Sequence, residues 1–197
     1  MNDTTTAKNA LFRKANKARK RVMIARDVLL QLASHTFRPT KGTYVYAEFR
    51  TPKKGTEQVC DVLSSMTRCE VCGIGALFLG AIGVADNYTL ADAGGDSENY
   101  ALVPGSIRIR EYLEQWFSVE TIKNVEVAFE LWGWSEEGSA GAFARDVSGS
   151  TERLRLIMEN IVANKGEFRY DRAPVLLNGQ WTTPGFRRKG FRKPKGE

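Results

Sequence analysis

Four side chains of this sequence have the chemistry of zinc ligands: Cys60, Cys69, Cys72 and the single histidine, His35. Cys69 and Cys72 are three positions apart, a spacing that places both thiols on one face of a helix. Structural zinc sites use four ligands, so a Cys3His site would need all four residues. Their spacing matches no standard zinc finger. We therefore expect the cysteines to be small apolar core residues, with zinc binding as the weaker alternative.

The sequence assembles no recognisable catalytic group. His35 is the only histidine, so it is the only imidazole base that a serine or cysteine nucleophile could use. Neither the phosphate-binding pattern G-x-x-x-x-G-K-[ST] nor the dinucleotide-binding pattern G-x-G-x-x-G occurs. We therefore expect a protein that is not an enzyme and that uses no cofactor.

Basic side chains gather at the two ends of the chain. The first run consists of Arg13, Lys14, Lys17, Arg19, Lys20 and Arg21. The second run interleaves cations with aromatic residues: Trp181, Phe186, Arg187, Arg188, Lys189, Phe191, Arg192, Lys193 and Lys195. Cations bind phosphates, and aromatic rings stack on single-stranded bases. The two runs therefore predict a nucleic-acid interface, and an acidic protein surface is the alternative partner.

The charge of the whole chain hides this separation. The chain carries a net charge of +6. Residues 1–21 have seven Lys or Arg and one Asp, and residues 187–197 have six Lys or Arg and one Glu. Residues 22–186 therefore carry a net charge of −5. An acidic body repels phosphate, so any affinity for nucleic acid must come through the ends.

Apolar periodicity predicts mainly helices. The spacing of apolar residues predicts one long helix over 9–33. Residues 43–49 are rich in β-branched and aromatic residues and form the best strand candidate. A further helix is expected over 57–66, followed by a helix over 69–83 that is apolar on every side. The glycines of this last segment indicate that other backbones pack closely against it.

Helices are also expected in the second half of the chain. One carries an apolar stripe over 109–117, and Ser118 can cap the next. The last clear helix ends at Asn164-Lys165-Gly166, which is a good C-terminal sequence. These elements predict a mainly α fold, a single-domain orthogonal helical bundle with one short β element and basic flexible ends.

The expected domain organisation follows from the same pattern. Residues 1–8 are expected to be a flexible N-terminus and 9–177 a helical domain, whose basic start, 9–21, can project. Residues 178–197 are expected to be a basic tail. The apolar stretch 71–85 is too short to span a bilayer, so no membrane partner is expected. Three cysteines argue against a disulfide framework and favour the cytoplasm.

One segment resembles a group of known sequences. Cys72-Gly-Ile-Gly75-Ala76-Leu77 resembles the Cys-x-x-Gly-Ala-Leu core helix of a loose set of uncharacterised small bacterial and phage proteins. A basic N-terminal helix and a late helix similar to 152–161 extend the resemblance over roughly residues 20–168. The resemblance implies a helical fold and a phage or prophage source, with no known activity. We therefore expect a non-enzymatic phage-type accessory protein that binds nucleic acid. The alternative is a protein-binding module, such as an inhibitor of a host factor or a component of a viral assembly.

Overall fold

The computed structural model describes residues 3–85, 87–94, 99–130, 149–169, 175–177 and 180–182. The described helices are α1 (Asp3–Lys14), α2 (Lys17–Ala33), α3 (Val59–Leu63), α4 (Gly73–Ala85), α5 (Ser106–Glu114), α6 (Val119–Glu130) and α7 (Ser150–Ala163). The described strands are β1 (Arg38–Pro39), β2 (Val45–Lys53), β3 (Met66–Val71), β4 (Asn99–Leu102), β5 (Val175–Leu177) and β6 (Gln180–Thr182). Among these helices, none has both the length and the apolar character to cross a membrane.

The expected helical bundle with one short β element is wrong. Four strands form a mixed sheet in the order β1-β3-β2-β4. β2 pairs antiparallel with both β3 and β4, whereas β1 runs parallel to β3. The strand expected over 43–49 corresponds to β2, which begins at Val45 and continues to Lys53. The fold is therefore an α/β mixture of packed helices and a small sheet.

The segment expected as one apolar helix over 69–83 is divided between two elements. Residues 66–71 form β3, and α4 begins only at Gly73. In β3, Cys69 lies opposite Ala47 of β2, and the pairing continues to Val71. Strand preference depends on the partner strand more than on the segment itself. Pairing with β2 therefore determines the structure of this short stretch.

Helix α4 is the centre of the fold. All of its residues except Gly83 are buried, and it packs against α1, α2, α5 and α6. A Cβ atom at Gly75 would lie 1.5 Å from the carbonyl oxygen of Tyr44, and one at Gly80 would lie 2.6 Å from a methyl group of Val28. The close approach expected of these glycines is confirmed. Only a residue without a side chain fits at position 75.

The long helix expected over 9–33 is two helices. α1 begins at Asp3, within the segment expected to be flexible, and it ends at Lys14. Asn16 then caps α2, since its side-chain oxygen accepts a hydrogen bond from the Arg19 amide at 2.9 Å. Asn favours N-cap positions because its short amide competes with the backbone for hydrogen bonds. The chain therefore turns at Ala15 and Asn16.

Both α2 and α7 end in the same way. The amide of Thr36 bonds the Gln31 carbonyl, and the amide of Gly166 bonds the Ile161 carbonyl, at 3.0 and 2.8 Å. These are the six-residue closures of the Schellman motif. His35 and Lys165 occupy the left-handed position, with φ of 54° and 56°. The end expected for the last helix at Asn164–Gly166 is confirmed, and α6 begins as expected because Ser118 Oγ accepts the Thr121 amide at 3.1 Å.

Candidate nucleic-acid interface

The six cations of the N-terminal run fall into two groups. Lys20 lies over the ring of Phe12, with its Nζ 5.4 Å from the ring centroid. Phe12 is buried and packs edge-on against Trp116 at 5.7 Å. Arg21 is only 15% exposed and forms a salt bridge with Glu167. Lys20 and Arg21 therefore hold the start of α2 to the body of the protein, and this part of the expected basic start does not project.

The other four cations surround the junction between α1 and α2. We call Arg13, Lys14, Lys17 and Arg19 the basic corner. All four are exposed. Within the part of the chain that the structure describes, none of them forms an ion pair. The basic corner is therefore a group of exposed cations whose charge no described residue balances.

The two helix dipoles act differently on these cations. Arg13 and Lys14 lie in the last turn of α1, where the partial negative charge of a helix C-terminus stabilises cations. Lys17 and Arg19 lie in the first turn of α2, which contains no acidic residue. There the partial positive charge of the helix N-terminus repels them. An anion at the start of α2 would relieve this repulsion, because backbone amides and cations at a helix N-terminus together bind phosphate.

The end of α7 lies beside the first turns of α2. A Cβ atom at Gly166 would come within 2.6 Å of the Ala18 carbonyl oxygen. This contact places exposed Lys165 next to the beginning of α2. Glu167, the nearest carboxylate of this segment, is already paired with Arg21. Lys165 therefore extends the basic surface, a contribution that sequence reasoning missed because 165 is far from the N-terminal run.

The C-terminal run falls almost entirely outside the described residues. The exception is Trp181, whose backbone lies in β6 opposite Leu176 of β5. The domain boundary expected between residues 177 and 178 therefore falls between two paired strands. The other expected ligands of this run are outside the described ranges: Phe186, Arg187, Arg188, Lys189, Phe191, Arg192, Lys193 and Lys195.

The four weak metal-ligand candidates do not come together. Cys69 is on β3 and Cys72 follows that strand, so the two thiols do not share a helix face as their spacing predicted. Cys60 lies on α3, and only His35 shares a cleft with Cys69. Burial raises the pKa of both Cys69 and Cys72 to about 12, which keeps these thiols protonated at neutral pH. Among the described residues, no group of three or more His, Cys, Asp or Glu is placed to hold a metal ion.

Sequence reasoning missed a buried carboxylate cluster, which we define as Glu126 and Glu130 of α6 with their donors. Glu126 accepts a hydrogen bond from the Tyr44 hydroxyl at 2.9 Å and a salt bridge from Arg110. Glu130 accepts the Gly42 amide with both carboxylate oxygens, at 3.0 and 3.2 Å. Burial raises the pKa of Glu130, and the Gly42 amide opposes that shift.

The buried carboxylate cluster joins elements that are distant in sequence. It connects the turn before β2 with α5 and α6 through hydrogen bonds and one ion pair. Glu126 follows Ile122 by four positions and therefore falls on the core stripe of α6. An acidic residue at a core position is the feature that could have revealed the cluster. Since both carboxylates are occupied by donors from the protein itself, the cluster holds the fold together.

Comparison of the chain with protein-family models, with curated proteins and with solved structures finds no match. The function must therefore be inferred from the geometry of the chain's own residues.

Proposed function

We propose that this chain is a non-enzymatic accessory protein that binds the phosphate backbone of nucleic acid. The basic corner supplies the contacts, and the C-terminal basic run adds to them. The observation that carries the proposal is a group of four exposed cations at the junction of α1 and α2, none of which has an acidic partner among the described residues. A cytoplasmic location and a phage-type source belong to the same proposal.

The proposed contacts are electrostatic and carry little sequence information. Phosphate contacts position a protein on nucleic acid, whereas base contacts specify sequence. If all four cations of the basic corner meet phosphates, the slope of log K against log salt on duplex DNA is about −3.6 from this surface alone. Aromatic residues in the C-terminal run would add stacking on single strands, worth about 1 to 3 kcal/mol per base.

The test is a salt titration of the full-length protein with labelled single- and double-stranded oligonucleotides of DNA and RNA. We expect binding at low salt that weakens steeply as salt rises. Replacing the four residues of the basic corner with Ala should flatten the slope by about 3 to 4 units on duplex DNA. No binding to any of the four oligonucleotides at low salt would refute the proposal.

A control of equal charge locates the interface. The control variant replaces four other cations with Ala: Arg50, Lys53, Lys54 and Lys123. It should keep the wild-type slope if the basic corner is the site. A third variant with Ala at the six cations of residues 187–195 measures the contribution of the C-terminal run. If the control variant loses binding while the basic-corner variant keeps it, the interface includes the control residues and the basic corner is not the site.

A further inference from the structure

Among the described residues, one edge of the sheet is unpaired along half of a strand. β1 pairs with only two residues of β3, since Arg38 lies opposite Glu70 and Pro39 lies opposite Val71. The residues before Arg38 belong to the turn that ends α2, so no strand of the described ranges pairs with this side of Met66–Cys69. The first half of β3 therefore has β2 on one side and a cleft on the other. Such an edge is a template for pairing with another extended chain.

The space beside this edge is large enough for side chains of a bound peptide. The β3 cleft, lined by the end of α2, β1, β3 and the start of α7, has a volume of about 420 Å³. This volume lies within the range of ligand sites in proteins. Among its lining residues, Leu32, Phe37 and Cys69 are buried and apolar, with exposures of 5 to 8%. They form an apolar part of the cleft wall next to the strand edge.

The charged residues of the β3 cleft have a positive balance. Arg38 is exposed and forms no ion pair with any residue that the structure describes. The side chain of Arg68 is 56% exposed and bonds Glu70 at 2.9 Å. Of the lining residues that the structure describes, Glu70 is the only carboxylate, and Arg68 already neutralises it. A ligand that complements the charge of the cleft is therefore negatively charged. Arg38, which no described residue pairs with, is the cation that can bind its acidic group.

We propose that the β3 cleft binds an extended acidic segment of a partner protein, which adds to the outer edge of β3. Its backbone extends the sheet at Met66–Cys69, an apolar side chain packs near Phe37, and a carboxylate pairs with Arg38. Peptides that add to a sheet edge gain affinity from main-chain hydrogen bonds and specificity from alternate side chains. A strand edge presents carbonyl acceptors as well as amide donors, and a phosphodiester has no donor for the carbonyls. The edge therefore favours a peptide over nucleic acid.

The probes are three synthetic peptides and the full-length protein. The first is a labelled seven-residue peptide of alternating valine and aspartate, and the second has lysine in place of each aspartate. The third is the aspartate peptide with N-methyl groups on alternate backbone nitrogens. We expect the aspartate peptide to bind at least tenfold more tightly than the other two in fluorescence anisotropy. Its binding should shift the backbone amide resonances of residues 66–69.

A charge reversal provides a test that does not depend on loss of folding. Arg38→Glu should weaken the binding of the aspartate peptide at least tenfold and should strengthen the binding of the lysine peptide. The matched control, Arg50→Glu, changes an exposed cation elsewhere in the sheet and should leave both affinities unchanged. Equal binding of the N-methylated peptide would overturn the proposal, as would shifts confined to other residues. It would also fail if an oligonucleotide, or self-association of the protein, shifted residues 66–69 while the peptides did not.

Discussion

The buried carboxylate cluster and the basic corner hold charge in opposite ways. In the cluster, each carboxylate is supplied with donors by the protein: Glu126 by Tyr44 and Arg110, and Glu130 by Gly42. In the basic corner, four cations share a small surface with no acidic partner among the described residues. A buried charge without a partner strongly destabilises the folded state, whereas an exposed one costs little because water solvates it. Unbalanced charge can therefore persist only on the surface, where an external partner can use it.

The largest expected effect comes from removing one partner in the cluster. Arg110→Met leaves the buried Glu126 carboxylate with the Tyr44 hydroxyl as its one partner among the described residues, so we expect a loss of about 3 kcal/mol in the free energy of unfolding. The matched change at the basic corner, Arg13→Met, should alter stability by less than about 0.5 kcal/mol. Urea denaturation of both variants measures the difference. Equal losses would show that the two regions do not differ as described.

A smaller effect concerns the pH dependence of stability. Because the pKa of Glu130 is raised on folding from its ordinary value of 4.5, folding favours the protonated form. The stabilising contribution is complete below pH 4.5 and is lost as the pH rises through the folded-state pKa. Glu130→Gln mimics the protonated acid and should therefore reduce the decline in stability over this window.

Chemical denaturation between pH 4 and 8 tests this prediction. The stability of Glu130→Gln should increase relative to the wild type as the pH rises. Glu114→Gln, at an exposed position in the last turn of α5, is the control for removing one carboxylate. Wild-type and Glu130→Gln curves that run parallel across the range would contradict the prediction.

The smallest expected effect sharpens the comparison within the basic corner itself. Lys17→Glu places an acid in the first turn of α2, so we expect the free energy of unfolding to increase by about 0.3 to 1 kcal/mol at low salt. Lys14→Glu makes the same charge change in the last turn of α1, where it should lower the free energy of unfolding by a similar amount. Thermal unfolding at low and high salt measures the stability of both variants. High salt should reduce the difference in stability between each variant and the wild type. If the stability of both variants changes in the same direction, the helix dipoles do not determine how these cations affect stability.

The prediction from sequence succeeded where the periodicity was long and local. α5, α6 and α7 have regular apolar stripes, and Ser118 and Asn164–Gly166 mark two of their ends. It failed where a distant partner decides the structure. β1 has only two residues, β3 alternates weakly beside an apolar run, and β4 lies within a stretch that reads as a polar loop.

The same distinction between local and long-range features applies to the candidate sites. The basic corner was predictable because charge is visible in the sequence. The engagement of Lys20 and Arg21 was not, since it depends on Phe12 and Glu167 in the folded protein. The β3 cleft could not be predicted either, because it exists only beside the half of β3 that β1 does not pair with. Contacts between distant segments carry no local pattern from which they could be predicted.

The contact between Gly75 and the Tyr44 carbonyl couples the central helix to the sheet. The two residues are 31 positions apart, and no side chain lies between their backbones to absorb a misfit. Helix α4 therefore fits its place only when the chain entering β2 has its final path. We expect α4 and the β2–β3 pair to form as one cooperative unit, whose assembly requires the closure of a long loop.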